Sequence, residues 1–214
     1  STYGVFVSSC SGRRRQKLRK AAEAEMLSET QSSDYLSHAA RLNYYATDRP
    51  DIQFAVKELM RNVSSPTTAD WTALKRVVRY LITVPRVVTT FPWGVAPDEI
   101  TVYVDANWAG CMRTRKSTLC GVVMWGNKFL KSWSKTMPVI ALSTAESELA
   151  AVTKGASEGL GAQSVLRDFG RTVKLKILSD ATAAIGICRR QGLGRVRHLA
   201  TADLWIQHLV YQRK

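Results

Sequence analysis

Three carboxylates occupy positions from which a folded sheet would present them together. Asp105 ends a stretch of alternating apolar residues, Glu148 lies one turn inside a helical stretch, and Asp180 ends a second alternating run. Such oxygen ligands suit hard divalent cations. Magnesium keeps several of its waters, so a few acids and a substrate phosphate complete its coordination. A pair of ions roughly 4 Å apart stabilises both the attacking and the leaving oxygen when a phosphodiester is hydrolysed. Three acids packed together also repel, which raises their pKa values unless a cation binds. Each acid has an ordinary structural alternative. Aspartate at a strand end often serves a turn or caps a helix, and Glu148 could be a surface residue beside a capping Glu146. The joint placement of the three is what points to metal-assisted chemistry.

The elements that must position them follow a period of two, then a helical period. Residues 100–105 read as a first strand, and 119–125 and 128–134 as two more joined by the tight Gly126-Asn127 turn of a hairpin. Ser143 and Glu146 then form an S-x-x-E capping box, and Leu149, Val152 and Ala156 continue the buried stripe of the helix it opens. Gly155, Gly159 and Gly161 weaken that helix and are expected to bend or split it before residues 165–169. Residues 173–179 give a fourth strand and 181–190 a short helix; after the Gly192-Leu193-Gly194 break a last helix covers about 200–211. Three antiparallel strands, a helix, a strand and two helices predict a mixed α/β sheet layered by helices.

Upstream of residue 95 the pattern is helical, in three segments between residues 33 and 83. Asp48 is expected to cap the second, entered through Pro50, with Ile52, Val56, Leu59, Met60 and Val63 as its stripe until Ser64, Ser65 and Pro66. Thr67 or Thr68 opens the third, in which Trp71, Leu74, Val77, Val78 and Leu81 face one way and Lys75, Arg76 and Arg79 another, until Pro85 closes it. Residues 1–30 hold Arg13, Arg14, Arg15, Lys17, Arg19 and Lys20 with no acid between them. This is a basic arm expected to lack fixed structure, serving as a phosphate grip, a nuclear address or a solvated tail. The expected organisation is therefore an arm over 1–30, a helical segment over 31–94 and an α/β domain over 95–214.

Charge supports a polyanionic partner. Lys and Arg number 31 against 17 acids, a net charge of +14, although a basic surface that merely keeps the chain in solution has the same composition. Cys10, Cys111, Cys120 and Cys188 include no C-x-x-C pair, and the three histidines are not spaced to complete a zinc site, so the cysteines read as thiols. No apolar run approaches the roughly 20 residues that span a bilayer, and the order of a signal peptide is missing, so an intracellular place, cytoplasmic or nuclear, and no membrane are expected.

Several motifs occur in a familiar order. Val102-Tyr103-Val104-Asp105-Ala106-Asn107-Trp108-Ala109-Gly110, Arg115-Lys116-Ser117-Thr118-Leu119-Cys120-Gly121, Ser132-Trp133-Ser134-Lys135, Ala141-Leu142-Ser143-Thr144-Ala145-Glu146-Ser147-Glu148, Leu178-Ser179-Asp180-Ala181 and Arg197-His198-Leu199 resemble the ribonuclease H domain of copia-type retrotransposon Pol polyproteins. Arg41-Leu42-Asn43-Tyr44, Asp48-Arg49-Pro50-Asp51-Ile52 and Trp71-Thr72-Ala73-Leu74-Lys75-Arg76 resemble the segment that links reverse transcriptase to that domain. The resemblance runs from about residue 29 to the end. It implies a ribonuclease H-like fold preceded by a small helical segment. It also implies cleavage of the RNA strand of an RNA–DNA hybrid by two Mg2+ ions, with Mn2+ as a substitute, and reverse transcriptase upstream in the same polyprotein. Asp105, Glu148 and Asp180 would be the metal ligands and catalytic residues, with Glu146 as the helix cap. Arg115, Lys116, Ser117, Thr118, Arg195 and Arg197 would contact nucleic acid.

Three departures open a second reading. The family's fourth carboxylate lies in an alanine-aspartate pair downstream of the last helix, a segment expected beyond Lys214, and Asp203 in Thr201-Ala202-Asp203-Leu204 imitates it only in wording. Ala200 stands where the family usually has an acid after His198. No tyrosine-x-Asp-Asp motif of a polymerase occurs. The alternative is thus a catalytically impaired retrotransposon remnant that only binds nucleic acid.

Overall fold

The computed structural model describes residues 25–192 and 204–212; the basic cluster from Arg13 to Lys20, and Arg195, Arg197, His198, Ala200 and Asp203, lie outside them. The chain forms two compact units, Ser1–Val87 and Val88–Lys214.

In the first unit three helices, α1 (Glu29–Tyr45), α2 (Gln53–Met60) and α3 (Thr68–Thr83), pack around Tyr35, Ala39, Ile52, Val56, Leu59 and Leu74. Reciprocal capping boxes start two of them, Ser28 with Gln31 and Thr67 with Asp70. Asp48 does not cap α2, whose N-cap is Ile52 with no side-chain bond. The turn before α2 is organised by Arg49 instead. Its buried guanidinium forks onto Asp51 at 3.0 and 2.8 Å and donates to the carbonyls of Val84 at 2.9 Å and Pro85 at 3.1 Å, joining the α1–α2 turn to the end of α3. Val78, expected on the buried face, is exposed.

The second unit contains β1 (Glu99–Asn107), β2 (Thr118–Trp125), β3 (Lys128–Thr136), α4 (Thr144–Asp168), β4 (Lys174–Leu178), α5 (Thr182–Arg189) and α6 (Trp205–Gln212). The sheet order is β3-β2-β1-β4, with β1–β2 and β2–β3 antiparallel and β1–β4 parallel. The fold is the mixed α/β arrangement that the pattern of elements implied, and it is consistent with the ribonuclease H-like fold that the family resemblance implied. A left-handed Gly126 closes the β2–β3 hairpin, and the register slips by one residue between Val123 and Met124. Ile100, Val102, Val104 and Ala106 turn one face of β1 into the core, where they meet Leu149, Val152 and Ala156 of α4. No helix among the described residues is long and apolar enough to cross a membrane.

The glycines do not split α4, which runs unbroken for 25 residues. They let it lie close on the sheet. A Cβ on Gly155 would collide with Val104 Cγ1, and one on Gly159 would stand 2.9 Å from Val102 Cγ2, whereas Gly161 has nothing within 4 Å. Gly155→Ala is therefore expected to destabilise the protein. Overpacking costs about 1–3 kcal/mol, against a helix-propensity gain of at most about 1 kcal/mol. Gly161→Ala should stabilise by about 0.5–1 kcal/mol. Urea denaturation of both variants checks this; equal stabilisation by the two would show that close approach is not what Gly155 provides.

Candidate metal centre

Register brings the two aspartates level. The last paired residues of the parallel strands are Tyr103 and Leu178, and Asp105 and Asp180 each lie two residues further on. Helix α4 brings the glutamate. Gly159 faces Val102 and Gly155 faces Val104, so four helical residues, about 6 Å, cover two strand residues of similar length, and α4 runs antiparallel to β1. Two turns earlier on the same side, Glu148 is thereby carried to the C-terminal end of β1. Ser143 starts the helix there, its Oγ accepting from Glu146 N at 3.2 Å, and the carboxylate of Glu146 accepts from Leu142 N at 2.6 Å. Glu146 thus serves the helix start, and Glu148 is left to face the sheet.

One carboxylate oxygen from each of Asp105, Glu148 and Asp180 lies within 4.8 Å of the others; the two aspartates are exposed and Glu148 is buried. Glu148 Oε2 has no hydrogen-bond partner. Burial, then the charges of Asp105 and Asp180, push the Glu148 carboxyl above the ordinary range, and a backbone hydrogen bond from Ala106 partly offsets this. A buried acid oxygen without a donor, beside two further acids, is a group that a divalent cation would complete. The residues present fit such an ion, and the repulsion among them falls when one binds.

Comparison with known proteins finds relatives that align over much of the chain. The chain is 34% identical over 132 residues to an uncharacterized mitochondrial protein of Arabidopsis thaliana, 59% of this chain and 52% of that one. It is 30% identical over 181 residues to the retrovirus-related Pol polyprotein from transposon RE2 of the same plant, 83% of this chain and 12% of the relative. Pol polyproteins from transposon RE1 and from the tobacco transposon TNT 1-94 align over similar shares of the chain. The chain belongs to the copia-type retrotransposon Pol polyproteins. This Pol segment also matches a protein named secreted RxLR effector protein 161, from Plasmopara viticola, at 34% identity over 128 residues, 59% of the chain and 89% of that protein. It spans about half of the first relative and about an eighth of the RE2 polyprotein. No family model matches the chain.

In this Pol segment the residues expected to touch nucleic acid separate into three groups. Arg115 is exposed, in a left-handed turn, and Lys116 is partly exposed. Ser117 and Thr118 are corrected to structural residues: both are buried, and Ser117 Oγ accepts from Ala109 N at 3.1 Å, holding the loop between β1 and β2. A hydroxyl enclosed in that way has no surface to offer a phosphate. Arg195 and Arg197 lie outside the described residues.

Sequence reasoning missed two neighbours of the acids. Trp108 Nε1 donates to Ala141 O at 3.0 Å, tying the end of β1 to the loop that opens α4. Cys120 is the partner of Asp105 across β1 and β2, with Sγ 3.9 Å from Asp105 Oδ2. The long β1–β2 loop hides that pairing in the sequence, since only a short hairpin turn fixes register by its length. The described cysteines, Cys111, Cys120 and Cys188, form no disulfide.

Proposed function

We propose that the Val88–Lys214 unit is a ribonuclease H-type nuclease that cleaves the RNA strand of an RNA–DNA hybrid, as one part of a retrotransposon Pol polyprotein with reverse transcriptase upstream. The observation that carries this reading is the convergence of Asp105, Glu148 and Asp180, of which the buried Glu148 also has a carboxylate oxygen that lacks a partner. These three residues would hold two Mg2+ ions, or Mn2+, which takes the same oxygen ligands. Bound there, the ions would supply an activated water and stabilise the leaving oxygen. Asp105 and Asp180, exposed at the ends of adjacent strands, reach outward to substrate and ion alike. Glu148, fixed by burial and by Ala106, holds the inner side. Arg115 and Lys116 would contact the phosphates of the duplex, adding to a chain of net charge +14.

The purified chain, incubated with a labelled RNA–DNA hybrid, is expected to shorten the RNA strand only when Mg2+ or Mn2+ is added, and to leave a DNA duplex intact. An RNA strand that survives in both ions overturns the reading. Hybrid binding that weakens steeply with salt, without any cutting, would replace it with a nucleic-acid-binding role alone.

A further inference from the structure

Two hydrogen bonds join the end of β1 to the start of α4. Ala106 N donates to the Glu148 carboxylate, and just past β1 the indole of Trp108 donates from Nε1 to Ala141 O at 3.0 Å. A single bond between two elements is a pivot about which they can still turn. A second bond, set apart from the first, removes that freedom. Together the two close a circuit that runs from Ala106 to Trp108, across to Ala141, through the Ser143 cap of α4 to Glu148, and back to Ala106. Asp105 adjoins that circuit and Glu148 belongs to it.

The rest of the circuit is stiff. Leu142 N donates to the Glu146 carboxylate at 2.6 Å and Glu146 N to Ser143 Oγ at 3.2 Å, so the loop that receives the indole moves with α4. Next to Trp108, Ala109 holds a left-handed φ of 47°, which an alanine keeps only where its surroundings fix it, and its N–H is bound by the buried Ser117 Oγ. Trp108 itself remains 43% exposed, so burial accounts for less of its place than the bond does. Ion size makes such a link matter. Mg2+ demands near-ideal octahedral geometry at about 2.0–2.1 Å, whereas Ca2+ accepts more oxygens at about 2.3–2.6 Å in flexible arrangements. A shift of roughly half an ångström between carboxylates is therefore felt more by Mg2+.

Resting on the metal-centre reading above, we propose that Trp108 is a positioning residue of that centre: its bond to Ala141 O sets the separation of the Asp105 and Glu148 carboxylates, and with it the preference for a small ion such as Mg2+ over Ca2+. The indole touches neither acid and acts through the two elements that carry them.

Titration calorimetry of the metal-free full chain with Mg2+ and with Ca2+ is the test. Trp108→Phe, which keeps a ring and removes the donor, is expected to weaken Mg2+ binding at least about tenfold, in the range that follows loss of a group supporting a metal ligand, and Ca2+ binding by a smaller factor. Trp108→Gln, whose amide N–H reaches a similar distance from the main chain, should recover part of the loss. Hybrid cleavage by Trp108→Phe should return toward the wild-type rate as Mg2+ is raised, with the Tm of the metal-free protein little changed. Unchanged Mg2+ binding in Trp108→Phe, or equal weakening of both ions together with a Tm that falls in chelator, overturns the role of Trp108 and leaves the carboxylate centre standing. A wild-type chain that binds neither ion overturns the centre itself, and the role of Trp108 with it.

Discussion

Asp105→Asn is expected to lower magnesium-dependent cleavage of a hybrid by more than about a hundredfold, beyond the usual cost of losing a group that merely supports a metal ligand, and to raise the Tm of the metal-free protein near neutral pH. The two effects share one cause. Asparagine keeps the size of the side chain but removes a charge that repels the buried Glu148 carboxylate. An aspartate kept only for a turn would behave otherwise, since its loss would lower stability and leave chemistry untouched. Hybrid cleavage and calorimetry in chelator measure the pair. Full activity in Asp105→Asn, or a Tm that falls together with the activity, would defeat the assignment.

A divalent cation should stabilise the protein strongly at neutral pH and weakly in mild acid. The folded-state pKa of Glu148 is raised, chiefly by burial and then by Asp105 and Asp180. A raised carboxyl favours the protonated folded state, so its contribution is fully present below the ordinary glutamate range and is lost as pH climbs through the raised value. Without metal, stability attributable to this residue therefore declines from mild acid toward neutrality. An ion that binds the ionised group reverses that trend, and at a hundredfold excess over its Kd it adds about 2.7 kcal/mol. Melting curves with and without Mg2+ across this range test the claim. A metal-induced rise in Tm that is as large in mild acid as at neutral pH, or the same rise in Glu148→Gln, would remove Glu148 from the centre.

The acids were legible because each sits where a simple period ends, at a strand terminus or in the first turns of a helix. Parallel pairing then aligned the two aspartates by register, a consequence of strand order that spacing alone does not contain. The glycines of α4 misled because propensity describes an isolated helix, whereas Gly155 is judged by Val104 beneath it. Asp48 misled for a related reason: a capping residue was available, but Arg49 and Asp51 organise the turn by a longer-range link to Val84 and Pro85. Ser117 and Thr118 looked like a polar loop beside basic residues, and only the fold reveals that they turn inward. The place of Cys120 next to Asp105 depends on the pairing of β1 with β2, which the intervening loop leaves open.

The parallel contact between β1 and β4 also sets the order of events as the chain folds. The β1–β2–β3 meander can assemble from near neighbours, but Asp180 joins Asp105 only after 75 residues of chain, α4 included, have been brought back to the sheet. An ion that needs all three acids recognises little before that late closure. It should accordingly leave the refolding rate almost unchanged and act as a latch, slowing the escape from the native state.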